Sequence, residues 1–263
     1  MSTEPILCSL DDRGVATLTL NRPQVGNAYD GGLIQGLLNA LDELRRERGL
    51  RVVVLKGAGR HFQAGADLAW VRAVGADTAE ANLAASRDTA RAVDLLNRLP
   101  VPTIALVHGG CFGGGTGMVA ACDVVIAADN AVFSIAEVRW GLTAAIVIPQ
   151  LADAISVRQL RRYALTGERF GAEEARRIGL VHQMVPLDLL ESAGEEMVAR
   201  LLENGPGAIA ETKAVSLDCA WGGFGEDTFD RLVAGHAAKR RSKEAAEGLA
   251  SFAEKRAADW GKR

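Results

Sequence analysis

The chain has 263 residues, 48% of them hydrophobic, which is length and apolar content enough for one sizeable core. Its net charge of −3 gives no general electrostatic drive toward nucleic acid or anionic lipid, and no apolar run approaches the roughly 20 residues of a membrane span. The four cysteines (Cys8, Cys111, Cys122, Cys219) lack metal-ligand spacing, and no signal-peptide pattern opens the sequence, so reduced thiols, a cytoplasmic location and no metal are expected.

In chain order, Ile6 to Leu10 and Val15 to Leu20 read as a hairpin around the polar turn Asp11-Asp-Arg-Gly14. Asn21 to Asp30 is a loop broken by Pro23 and Gly26. Leu33, Ile34, Leu37, Leu38, Leu41 and Leu44 mark one face of a helix, and Arg45-Arg-Glu-Arg48 suits its C-terminus. Arg51 to Lys56 is an apolar strand, followed by a loop of small residues from Gly57 to Leu68. Ala69 to Asp77 carries no pattern, and a helix from about Thr78 to Arg98 is ended by Pro100 and Pro102. Thr103 to His108 is a buried strand, Gly109 to Gly117 a glycine run, Met118 to Cys122 helical and Asp123 to Ala128 a strand. Helices are expected over 145–154, 157–165 and 172–178, with a last strand at Val181 to Val185 and only helices from Leu187 onward.

A glycine run between strand and helix brings bare backbone N–H groups close to a ligand, either to cradle a phosphate or to stabilise an oxyanion. The phosphate reading has a concrete form in Gly115-Thr-Gly117-Met-Val-Ala120, which satisfies the G-x-G-x-x-A dinucleotide fingerprint. The next strand follows after about two helical turns and no acid stands at the usual distance, so the match reads as a glycine-rich turn. No Gly-Lys-Ser/Thr follows to make a Walker A loop. The oxyanion reading gains from the second loop, where Ala64, Gly65 and Ala66 again bare the backbone beyond a strand. Downstream, Glu137 is a lone carboxylate in a mostly apolar stretch, where desolvation tunes it toward general acid or base work. His61, His108, His182 and His236 stand with no G-x-S-x-G serine, so a Ser-His triad has little support.

His61-Phe-Gln-Ala-Gly-Ala-Asp-Leu68, Phe112-Gly-Gly-Gly-Thr-Gly-Met118 and Ser134-Ile-Ala-Glu-Val-Arg-Trp-Gly-Leu142 resemble the enoyl-CoA hydratase/isomerase (crotonase) superfamily. Leu20-Asn-Arg-Pro23 with Asn27-Ala28, and Tyr163 to Phe170, fit in the same order. The resemblance implies an α/β fold, a spiral of repeated ββα units, with a helical C-terminal region that packs trimers, commonly paired into hexamers. Its division would be 1–195 for the spiral core and 196–263 for the oligomerising helices. The implied substrate is an acyl-CoA thioester whose carbonyl oxygen accepts from the amides of Ala66 and Gly114. No separate cofactor is implied, because coenzyme A is part of the substrate. Adenine would rest against the backbone of Ala64, Asp67 and Leu68, and Arg22 is a candidate phosphate contact. The lysine that many relatives carry is replaced by Ala69.

Two-acid hydratases carry a second glutamate where this chain has Gly117, while Glu137 matches the other acid. One glutamate suits hydration of a 2-enoyl thioester, with Gly117 leaving room for substrate and water, or isomerisation by a proton shuttle. The motifs are most similar to bacterial hydratases of methylglutaconyl-CoA type, with a departure at Thr143-Ala144. A non-catalytic, RNA-binding relative is the alternative of another class, and the acidic balance counts against it.

Overall fold

The computed structural model describes residues 4–222 and 226–260. Strands β1 (Ile6–Leu10) and β2 (Val15–Leu20) pair antiparallel around the Asp11 turn, where the Asp11 carboxylate accepts from the amides of Arg13 and Val15. Helix α1 (Gly31–Leu44) is capped by Asp30, whose side chain accepts from the Leu33 amide, and its six leucine and isoleucine positions are all buried. Strand β3 (Val52–Gly57) runs parallel to β2. Helices α2 (Leu68–Gly75) and α3 (Ala79–Asn97) follow, the latter capped by Thr78.

The spiral then becomes regular. Strand β4 (Thr103–Val107) leads to β5 (Gly110–Phe112) and α4 (Gly114–Ala120). Strand β6 (Val124–Ala128) leads to β7 (Val132–Ser134) and α5 (Ile148–Thr166). Each turn gives one strand to a six-stranded sheet and one to a second sheet, then crosses back through a helix. The earlier turn joins the second sheet only through a single bridge, Gln63 to Cys111. Strand β8 (Phe170–Gly171), α6 (Ala172–Ile178) and β9 (Gln183–Val185) complete both sheets, ordered β1-β2-β3-β4-β6-β9 and β5-β7-β8. This is the α/β spiral that the motifs imply. Its buried parallel strands are Val, Ile and Leu rich because helices cover both faces.

One face packs on α1, α3, α4 and α5. The other is covered by α7 (Leu190–Leu202), whose Leu190, Ala193 and Val198 meet Val54, Ile104 and Ile126. The expected boundary at 195/196 therefore falls inside a helix that belongs to the core. Helices α8 (Pro206–Gly222), α9 (Glu226–Lys239) and α10 (Lys243–Glu254) end the chain. Lys213 ties α8 to the core by donating to the Val101 carbonyl and pairing with Asp123 at 2.7 Å. Among the described residues no helix is long and apolar enough to cross a membrane.

Four local readings are corrected. The patternless stretch 69–77 holds most of α2, because Asp67 caps it by accepting from the amides of Ala69 and Trp70. The glycine run is already helical from Gly114 rather than from Met118. The loop 21–30 contains a short 3-10 turn, Pro23–Val25. Val181 lies outside the last strand, and the His182 ring instead accepts from the Val125 amide. The two helices expected over 145–154 and 157–165 are present: the first opens as a 3-10 turn, Ala145–Val147, and the two halves of α5 meet at a kink at Ser156, whose φ is 63°.

Candidate active site

The first loop is braced by two buried amide side chains. Asn27 Nδ2 donates to the carbonyls of Ala58, His61 and Phe62, which pins the turn after β3. Gln63 folds onto its own loop, accepting from the Gly65 amide at 2.7 Å and donating to the Gly65 carbonyl at 3.1 Å. Tyr29 and Ala66 form a parallel bridge in which Tyr29 bonds to Gly65 and Asp67, so the Ala66 amide between them is left without a partner among the described residues.

The second loop is zipped to the first. The amides of Phe62 and Gln63 donate to His108 and Gly110, and the amide of Phe112 donates back to Gln63. Gly113 then turns at φ 51° and ψ −127°, a conformation open to glycine, while its amide donates to the Ser134 carbonyl. Gly114 follows as the first residue of α4, where an amide has no partner within the helix, and none outside it is present among the described residues. The histidines brace these turns: His61 Nδ1 accepts from the Gly110 amide, and His108 Nε2 lies 2.9 Å from the Gly59 carbonyl.

Both free amides open on one cavity of about 610 Å³. Its lining includes Ala64, Ala66, Leu68, Gly114 and Glu137, so five of the eight sequence-derived site residues come together there. Glu137 begins a 3-10 turn, Glu137–Trp140, after β7. Its Oε1 lies 3.2 Å from where a Cβ on Gly113 would be, and its buried Oε2 has no hydrogen-bond partner among the described residues. Burial therefore pushes the Glu137 carboxyl above the ordinary glutamate range, offset in part by a bond from its own amide.

Three expected residues lie elsewhere. The side chain of Asp67 caps α2, whereas the adenine contact expected of Asp67 is one of its backbone. Arg22 is held between Asp30 at 3.0 Å and Asp67 at 3.6 Å, and it donates to the Ala28 carbonyl. Gly117 does not line the cavity: a Cβ there would stand 2.4 Å from Val147, whose side chain does line it. The expectation that Gly117 leaves room for substrate or water is thus corrected, because an isopropyl group fills that room.

The sequence reading also missed three lining residues, Tyr29, Arg139 and Arg169. Arg169 stacks its guanidinium 5.3 Å from the Phe112 ring centroid, and the stem of Arg139 lies on Gly167. An aromatic residue beside Asn27-Ala28, in a loop with no apolar period, was the available signal for Tyr29.

The model of one family, enoyl-CoA hydratase/isomerase, matches residues 11–263. The hydroxycinnamoyl-CoA hydratase-lyase of Pseudomonas fluorescens is 36% identical over 76% of this chain and 74% of that protein. The mitochondrial Delta(3,5)-Delta(2,4)-dienoyl-CoA isomerase of Dictyostelium discoideum is 29% identical over 94% of this chain and 87% of its own length. The crystal structure of an enoyl-CoA hydratase from Shewanella pealeana superimposes with a TM-score of 0.92 at 35% identity, covering 97% of this chain and 96% of that one. Hydratases and isomerases thus both stand among its relatives, and the chain belongs to the enoyl-CoA hydratase/isomerase family.

Proposed function

We propose that the protein adds water across the 2,3 double bond of an enoyl-CoA thioester, or removes it, with Glu137 as the sole acid-base side chain. The observation that carries this reading is one partnerless carboxylate opening on the same cavity as two unpaired amides. The amides of Ala66 and Gly114 hold the thioester oxygen as negative charge builds on it, each contributing about 3 kcal/mol to the barrier drop. Glu137 directs a water at the β-carbon and returns a proton to the α-carbon. Burial raises its pKa above the ordinary glutamate range, which makes the carboxylate a stronger proton acceptor. Ala64 and Leu68 offer backbone to the adenine end of coenzyme A. Arg22, already neutralised by two carboxylates, serves chiefly to set the loop that carries them.

Isomerisation is the second reading, and Val147 favours it. With that side chain over Gly117, an apolar group stands where two-acid hydratases carry their second glutamate. The test is a panel of 2-enoyl and 3-enoyl-CoA thioesters read by mass spectrometry. A gain of one water on a 2-enoyl substrate is expected. Conversion of 3-enoyl to 2-enoyl thioesters with no hydrated product at any chain length overturns hydration in favour of the proton shuttle.

The assembly is proposed to be a trimer or a pair of trimers. Phe229, Val233, Leu249 and Phe252 on α9 and α10 are all more than half exposed, with Phe252 at 85%. Such apolar surface is characteristic of a face covered by another copy. Light scattering at micromolar concentration is expected to give three or six times the chain mass, and a monomer there contradicts the proposal.

A further inference from the structure

The cavity also holds the Tyr29 hydroxyl, a polar group that the chemistry above does not use. The Tyr29 amide donates to the Gly65 carbonyl at 2.9 Å, and the Tyr29 carbonyl accepts from the Asp67 amide at 2.8 Å, so its backbone straddles Ala66. Its ring crosses to the other loop. A Cβ placed on Gly114 would meet Tyr29 Cε1 at 2.7 Å and the hydroxyl oxygen at 3.1 Å. One residue is thus anchored beside the first free amide and lies against the second. Trp70 supports the ring edge-on, with centroids 5.8 Å apart.

The remaining hydroxyls of the lining are otherwise engaged or peripheral. Thr89 donates to the Ala85 carbonyl, Ser134 donates to the Gly167 carbonyl, and Thr143 is exposed on an outer turn. The Tyr29 hydroxyl makes no hydrogen bond to any described residue and faces the cavity. Burial, and then the charge of Glu137, push its pKa up to about 12, so it keeps its proton as a donor throughout the working range.

We propose that the Tyr29 hydroxyl is a third hydrogen-bond donor to the thioester oxygen of the substrate, beside the amides of Ala66 and Gly114. An enolate oxygen accepts three hydrogen bonds, and a phenolic donor strengthens as that oxygen gains charge. The inference rests on the oxyanion reading of the two amides, and it holds whether the product is hydrated or isomerised.

Tyr29→Phe removes the hydroxyl and keeps the ring against Gly114 and Trp70, and Tyr29→Met checks the result without a ring. Three readouts separate electrostatics from structure. The first is steady-state turnover of the best thioester of the panel. The second is exchange of the α-hydrogens of butyryl-CoA into D2O, which needs enolate formation alone. The third is the absorbance red shift of bound 4-dimethylaminocinnamoyl-CoA, which reports carbonyl polarisation without turnover. For Tyr29→Phe we expect kcat and exchange to fall about 10- to 100-fold with KM little changed, toward the low end for loss of one oxyanion donor. The red shift is expected to shrink in parallel. An unchanged red shift in Tyr29→Phe overturns the proposal, whatever happens to the rate. A wild-type protein that binds the chromophore with no shift overturns the oxyanion reading itself, and a failure of hydration alone touches neither.

Discussion

Gly113 and Gly117 stand at the start and in the middle of one short helix, and each has a side chain close to the place of its missing Cβ. Beside Gly113 that side chain is the Glu137 carboxylate, with Oε1 3.2 Å from the Cβ position. Beside Gly117 it is the isopropyl group of Val147, 2.4 Å away. The reasons for glycine differ as well. Gly113 turns at φ 51°, where a side chain is strained, while Gly117 lies inside α4 and is glycine only because Val147 needs the space. Two identical letters four positions apart therefore mark opposite things, an opening for chemistry and a seal against it. Gly115 shows the sealed kind again, since a Cβ there would meet Gln63 Oε1 at 2.4 Å, the atom that holds the Gly65 amide.

The most damaging way to break this contrast is to neutralise its polar end. Glu137→Gln keeps size and removes the charge, and turnover is expected to fall about 1000-fold with acyl-CoA binding retained, as for loss of a positioned acid-base group. Near-wild-type turnover in that variant would take Glu137 out of the mechanism. The same variant reports the energetic side of the buried carboxylate. Because burial raises the folded-state pKa above the unfolded one, the folded protein binds more protons between the two values. Stability from this group is full below the unfolded pKa, about 4.3, and is lost as pH rises through the raised value. Glutamine has no charge to desolvate, so Glu137→Gln should melt above wild type at neutral pH. The gap should close as pH drops below the ordinary glutamate range. A gap independent of pH would mean that desolvation is not what distinguishes this end of the helix.

The contrast also separates what the sequence carried from what it could not. The strands at 52–57 and 103–107 were legible because burial on both faces favours a near-continuous apolar run, the strand at 15–20 because Thr17 and Thr19 alternate with buried Ala16, Leu18 and Leu20, and α3 because Thr78 and the prolines punctuate it. Glu137 was legible as a lone acid among apolar residues, and the loop amides as bare backbone beyond strands. Helix α2 was not, because its 8 residues contain no buried position and so leave no apolar stripe to count. Val147 and Tyr29 were not legible either. Each reaches the site from a distant turn, Tyr29 across 85 positions to Gly114 and Val147 across 30 to Gly117, and no local period records such a meeting. The room expected at Gly117 failed for that reason: an absent Cβ tells nothing of which neighbour has moved into its place.

The milder way to sharpen the contrast is to test the sealed end. Gly117→Ala gains about 1 kcal/mol of helix propensity, but its new methyl collides with a buried valine, an overpacking that costs about 1–3 kcal/mol. The net expectation is a loss of up to about 2 kcal/mol, read as a lowered denaturant midpoint at unchanged slope. Val147→Ala alone leaves a void where the isopropyl group stood, and it too should destabilise, by about 2 kcal/mol. In the double variant the methyl on residue 117 enters the space that Val147→Ala vacates, so the two losses should not add. A coupling of at least about 0.5 kcal/mol toward stability is the expected sign of direct contact. Turnover should follow a different pattern. Val147 lines the cavity from a 3-10 turn, Ala145–Val147, so displacing it by Gly117→Ala should raise KM more than it lowers kcat. Full additivity of the two stability losses, with KM unmoved, would mean that Val147 is not what makes residue 117 a glycine, and the two glycines would no longer be distinguished by their neighbours.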